Sequence, residues 1–163
     1  MTRSVFSRLA MALLCGLDAN STTAQESDLD AAFDRDVAVI VASRDACHRF
    51  DIYLALTSPQ QSRGLMFVRN LPEMTGMLFV YDREGSRSMW MKNTFIPLDI
   101  AFMRDDGSIT NIAYSTEPQS LKSIRASEPA QYVLELNAGV AERFSIDTNS
   151  RVLWGPIYET RWQ

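Results

Sequence analysis

The stretch Ser88-Met89-Trp90-Met91-Lys92-Asn93-Thr94-Phe95-Ile96-Pro97-Leu98-Asp99-Ile100 decides the reading of this chain. In it, amide, hydroxyl, ammonium and carboxylate groups interrupt residues that otherwise belong in a core. On an extended strand Trp90, Lys92 and Thr94 share one face while Met91 and Asn93 share the other. After Pro97, Leu98, Ile100 and Phe102 oppose Asp99 and Ala101. Trp90 and Lys92 are thereby expected to line one wall of a cleft. An unpaired charge in a low-dielectric interior is costly, so Lys92 and Asp99, if enclosed, need partners. The default is an ion pair that ties two strands together, since structural networks perturb pKa values too. The sharper alternative is a working site where these groups orient a ligand or move protons.

Outward from this stretch, β-favouring runs recur at Val37 to Ala42, Phe50 to Leu56, Met77 to Tyr81, Ser88 to Lys92, Leu98 to Met103, Ile109 to Ser115, Tyr132 to Leu136 and Val152 to Trp154. Ser58-Pro59-Gln60-Gln61 reads as a helix start, with Ser58 as N-cap and Gln61 closing a capping box, and Gly64 as the stop. Hairpins are predicted through Asp82-Arg83-Glu84-Gly85 and Arg104-Asp105-Asp106-Gly107, with adjacent strands antiparallel. A second short helix is predicted over Val140 to Phe144. The expected fold is mainly β with a minor α+β character: a small antiparallel β-barrel or sandwich carrying one or two short helices.

With 163 residues, 46% of them apolar, the chain suffices for one ordinary core. Sixteen Lys and Arg against twenty Asp and Glu give a formal charge of −4, which disfavours nucleic acid as a partner. At the start, Arg3 and Arg8, the apolar run Leu9 to Leu17 and the small residues Thr22-Thr23-Ala24 read as a signal peptide over 1–24. The run is about half the roughly 20 residues of a membrane-spanning helix, so no retained membrane anchor is expected. Lipidation at Cys15 is disfavoured by Leu14, which stands where a lipoprotein signal carries a small residue. Residues 25–36 read as a flexible leader and 37–163 as a single β-rich domain, exported to the periplasm or beyond. Removal of the signal leaves Cys47 as the one cysteine, which excludes an intramolecular disulfide.

Arg63-Gly64-Leu65-Met66, Leu71-Pro72, Gly76 to Val80, Trp90 to Thr94, Ile96 to Ile100, Pro129-Ala130, Tyr132 to Leu136 and Asn137-Ala138-Gly139 occur in this order. Together they resemble the family called domain of unknown function 192, over roughly Phe50 to Val152. The resemblance implies a compact β-rich fold, often behind an export signal, and no settled activity, substrate or cofactor. Carried over position by position, the polar motif residues are Arg63, Lys92, Asn93, Thr94, Asp99 and Glu135. The chain departs from the family where Asn149-Ser150 stands in place of Gly-Asp. That change alters a site if the Asp helped to form one, and is a turn replacement otherwise.

Arg63 offers a planar fork to a carboxylate, whether a ligand's or that of Asp99 or Glu135. Asn93 and Thr94 sit where a strand should end and suit loop backbone groups, Thr94 above all. Met66, Met77, Met89 and Met91 beside Trp90 invite a copper reading, but soft-metal sites usually add His or Cys, and Met also fills core gaps. No metal or cofactor is therefore expected, and no zinc, phosphate-loop or nucleophile-elbow spacing occurs. The leading expectation is a binding module for a small sugar or carboxylate, with Arg63, Trp90, Lys92, Asn93, Asp99 and Glu135 as candidate ligand-binding residues. Two alternatives stand beside it. One is a hydrolase- or lyase-like enzyme using Asp99 or Glu135 as base with Lys92 or Arg63 stabilising charge, and the other an envelope protein that binds a protein partner.

Overall fold

The computed structural model describes residues 28–44 and 46–155. The expected signal peptide over 1–24, with Cys15, lies outside the described residues, as does the start of the expected leader. The described chain runs α1 (28–32), β1 (Asp34–Val41), β2 (Cys47–Ala55), α2 (Ser58–Arg63), β3 (Thr75–Gly85), β4 (Ser88–Met89), β5 (Leu98–Met103), β6 (Ile109–Ala113), β7 (Ile124–Arg125), β8 (Ala130–Asn137), α3 (Val140–Arg143) and β9 (Arg151–Leu153). Seven strands form one sheet in the order β6-β5-β8-β3-β2-β1-β9, and β4 and β7 make a separate ribbon. At one end the two edges of the sheet meet. Ser108 bridges to Arg151, and the Val152 N–H donates to the Gly107 carbonyl at 2.9 Å. The sheet is thus a curled half-barrel, and the fold is mainly β with short helices, as the sequence predicts.

Strand composition follows from which faces are covered. β1 pairs near the edge, its first three residues exposed and the rest alternating between half-buried and buried, whereas β5 lies deeper and is buried at all six positions. Ile40, Ile52, Leu54, Leu78, Ala101, Leu134 and Leu136 fill the inner side, closed by Val140, Ala141 and Trp154. Tyr53, Met77, Phe79, Ile100, Phe102 and Val133 fill the other side, covered by Leu65, Val68, Leu71 and Met91.

Several expectations are corrected. Residues 28–36 do not form a loose leader: Leu29 and Phe33 are buried in the outer layer and β1 begins at Asp34. The N-cap of α2 is Thr57, not Ser58, and its capping box closes with Gln60. Asp82 to Gly85 make no hairpin. β3 runs through them past a bulge, and Gly85 pairs with Ala130, so a distant strand outweighs the local turn chemistry. β2 and β3 are parallel, a pairing that needs a crossover, which the segment containing α2 supplies. The hairpin through Arg104 to Gly107 does form, with Gly107 at φ 79°.

Candidate functional site

The outer side of β8 carries Glu135 into an apolar layer, with Met77 of β3 and Ile100 of β5 as its register neighbours. The residue is 4% exposed, and its Oε2 has no hydrogen-bond partner among the described residues. Burial, with no counter-charge to offset the loss of water, pushes the carboxyl from 4.5 up to about 8. Glu135 is therefore protonated at neutral pH and is a potential hydrogen-bond donor.

Glu135 lines a cavity of about 100 Å³ together with Arg63, Tyr81, Trp90, Lys92 and Thr94. This is room for several water-sized groups. The cavity lies between the outer side of the sheet and two covering segments, one running from α2 to Met66 and the other from β4 to Thr94. Gly64 ends α2 at φ 49° and passes so close to the sheet that a Cβ there would lie 3.0 Å from Phe79 Cζ. Arg63, the last residue of α2, stacks over Phe33 at 5.4 Å and pairs with Asp28 at 2.5 Å.

The second covering segment is not a strand beyond Met89. The expected strand Ser88 to Lys92 is cut short because its partner β7 spans two residues. Trp90 to Thr94 instead form a turn in which the Thr94 N–H donates to the Met91 carbonyl at 3.0 Å. Asn93 occupies the left-handed region at φ 57°, and its carbonyl accepts from the Phe67 N–H at 2.8 Å, tying the two covering segments together. Trp90 and Lys92 still meet at the cavity, though through this turn rather than along a strand face. Lys92 Nζ lies 5.0 Å from the centre of the Trp90 ring. Lys92 takes part in no ion pair among the described residues.

Asp99 is elsewhere, and the expected Lys92–Asp99 pair does not form. Its side chain is buried, with Oδ1 accepting from the Ser115 N–H at 2.8 Å and Oδ2 from the Ala141 N–H at 3.0 Å. The second bond supplies a cap to α3, whose own N-cap, Gly139, has no side chain to give one. Asp99 lines a different hollow of about 510 Å³ with Tyr114 and Asp147. Of the six candidates, then, the structure gathers Arg63, Trp90, Lys92 and Glu135. It uses Asn93 as the hinge of a turn and sets Asp99 apart.

Sequence reasoning missed Tyr81, whose hydroxyl is pushed above its ordinary value by burial, against the opposing pull of Arg87 stacked 4.0 Å from its ring. The signal was present in the apolar run that Tyr81 ends, but the expected turn at Asp82 hid it. Met77 and Met91 are fully buried core residues, and the Met91 sulfur accepts from the Thr116 hydroxyl at 3.2 Å. Met66 and Met89 line the cavity. Among the described residues no three His, Cys, Asp or Glu gather as metal ligands.

The family model for domain of unknown function 192, described as an uncharacterized ACR, matches residues 39–154. The chain belongs to this family. Its DUF192 region begins inside β1 and ends after β9, taking in every residue that lines the Glu135 cavity. One similar solved structure is a candidate transcription regulator from Sinorhizobium meliloti 1021. It shares 33% identity and a TM-score of 0.75, over 76% of this chain and 96% of that one. Another, a protein of unknown function from Novosphingobium aromaticivorans DSM 12444, shares 35% identity and a TM-score of 0.71, over 74% of this chain and 85% of that one. No curated protein matches. At the departure from the usual DUF192 pattern, Asn149-Ser150, the chain makes a turn. The Ser150 hydroxyl accepts from the Asp147 N–H at 3.0 Å, and neither Asn149 nor Ser150 lines the Glu135 cavity.

Proposed function

We propose that the Glu135 cavity binds a small polar ligand, and that a carboxylate suits its lining better than a sugar. The observation that carries this reading is the enclosed Glu135 Oε2 without a hydrogen-bond partner among the described residues. Buried polar atoms are nearly always satisfied, so such an atom beside a cavity asks for a partner from outside the chain. A protonated Glu135 donates to a ligand oxygen, Lys92, in no ion pair among the described residues, supplies positive charge, and Arg63, already paired with Asp28, adds further N–H donors to the lining. Trp90 closes one wall. An exported location fits this role but is not required by it. The regulator name of the Sinorhizobium relative does not carry over, because a formal charge of −4 gives no cationic excess for phosphates.

The enzyme reading took Asp99 or Glu135 as base with Lys92 or Arg63 stabilising charge. Its Asp99 branch loses support because Asp99 lines a hollow separate from both cations, and its Glu135 branch because an acid that holds its proton up to about pH 8 is a poor base at neutral pH. The test is isothermal titration of the protein with acetate, and with glucose as the sugar, at pH 6.5. Acetate binding that is lost in Arg63→Ala and Lys92→Ala is the expected result. Binding of glucose alone would move the site to the sugar class, and binding of neither would end the ligand reading.

A further inference from the structure

Beside the Glu135 cavity lies a second opening of about 290 Å³, lined by Ser88, Met89, Trp90, Leu121 and Ser123. Ser88, Met89 and Trp90 line both spaces, so the two adjoin at these residues. The second opening has a different chemistry from the first. Leu121 is 70% exposed and Trp90 48%, and the polar groups of its lining are two serines with no charged side chain. Large apolar side chains held out beside a polar cavity invite an apolar occupant continuous with whatever fills that cavity.

We propose that the ligand is a monocarboxylate with an apolar tail, its head beside Glu135 and its tail lying across Trp90 and Leu121. This rests on the carboxylate reading of the Glu135 cavity. Lys92, 5.0 Å from the centre of the Trp90 ring, stands where head and tail would join, since it lines the inner cavity and Trp90 lines both spaces. A ligand polar along its whole length would leave the outer opening unmatched, and one apolar throughout would leave Glu135 Oε2 without a partner.

The test compares acetate, butyrate and hexanoate by titration calorimetry with the wild-type protein, Leu121→Ser and Arg63→Ala. Fully burying one CH₂ strengthens binding about fourfold, so burying even half of the methylenes that hexanoate adds should make it bind about tenfold more tightly than acetate. Leu121→Ser, at an exposed position and verified as folded by circular dichroism, should weaken hexanoate severalfold and leave acetate unchanged. Arg63→Ala should weaken all three. Equal affinities for acetate and hexanoate would overturn the tail while the head-group reading stood. No binding of any of the three would overturn both. Hexanoate binding that ignores Arg63→Ala would show a nonspecific apolar contact and overturn the proposal.

Discussion

Glu135→Gln should change how stability depends on pH, in a direction opposite to that of carboxylates that are ion-paired or hydrogen-bonded in the folded state. The folded state holds the Glu135 proton up to about pH 8, whereas the ordinary value is 4.5, so between these limits the folded state binds more protons than the unfolded state. The stability that the neutral carboxyl allows is fully present below pH 4.5, declines as pH rises, and levels off above pH 8. At 1.36 kcal/mol for each pKa unit, the loss from pH 4.5 to 8 is about 5 kcal/mol, a large part of a small domain's total. Gln keeps the shape and cannot ionise. The difference in unfolding free energy between Glu135→Gln and wild type should therefore grow in favour of Gln by about 1.4 kcal/mol per pH unit from pH 5 to 8 and then stop. Urea unfolding of both proteins at pH 5, 6, 7, 8 and 9, without added carboxylates, measures this directly, and the groups common to both cancel in the difference. A difference that stays flat across this range would refute the placement of Glu135 as an enclosed acid without a partner.

Acetate affinity should hold steady from pH 6 to 7.5 and fall above about pH 8, as Glu135 ionises and repels the ligand, while Glu135→Gln should bind acetate with no such fall; calorimetry across this range decides it. Gly76→Ala should destabilise by about 1–3 kcal/mol or more in urea, because its Cβ would meet the Glu135 carbonyl at 2.7 Å and Leu136 Cδ2 at 2.8 Å. Asp99→Ala should cost about 3 kcal/mol by the same assay, since it leaves the Ser115 and Ala141 amides without their acceptor, yet it should leave acetate affinity unaltered. Thr57→Ala should remove the capping box of α2 and cost about 1 kcal/mol.

What could be read from sequence depended on whether the deciding contact was local. Leu98 to Met103 was legible to the residue because both its faces are covered and every position is apolar or enclosed. The hairpin at Gly107 was legible because turn chemistry and pairing agree there. At Asp82 to Gly85 they disagree, and pairing with β8 wins. The strand expected over Ser88 to Lys92 failed for a related reason. Period two describes a strand only where a partner runs alongside, and β7 offers two residues.

The same limit separates the two buried acids. Both stood out in the sequence as carboxylates set in apolar runs, and on that footing they seemed interchangeable as bases of one site. In the sheet Asp99 stands opposite Leu136 and Ile100 stands opposite Glu135. Cross-strand neighbours share a side, so Asp99 points with Leu136 to the inner side and Glu135 points with Ile100 to the outer one. A slip of one residue in this pairing would have put both acids on the same side. The register instead gives Asp99 two backbone amides to accept from, and makes it a cap for α3. It gives Glu135 an apolar surround and a cavity, which leaves a neutral acid able to donate to a ligand. Residue type could nominate both carboxyls, but only the pairing of β5 with β8 gives one to structure and leaves the other, neutral and without a partner among the described residues, beside a cavity.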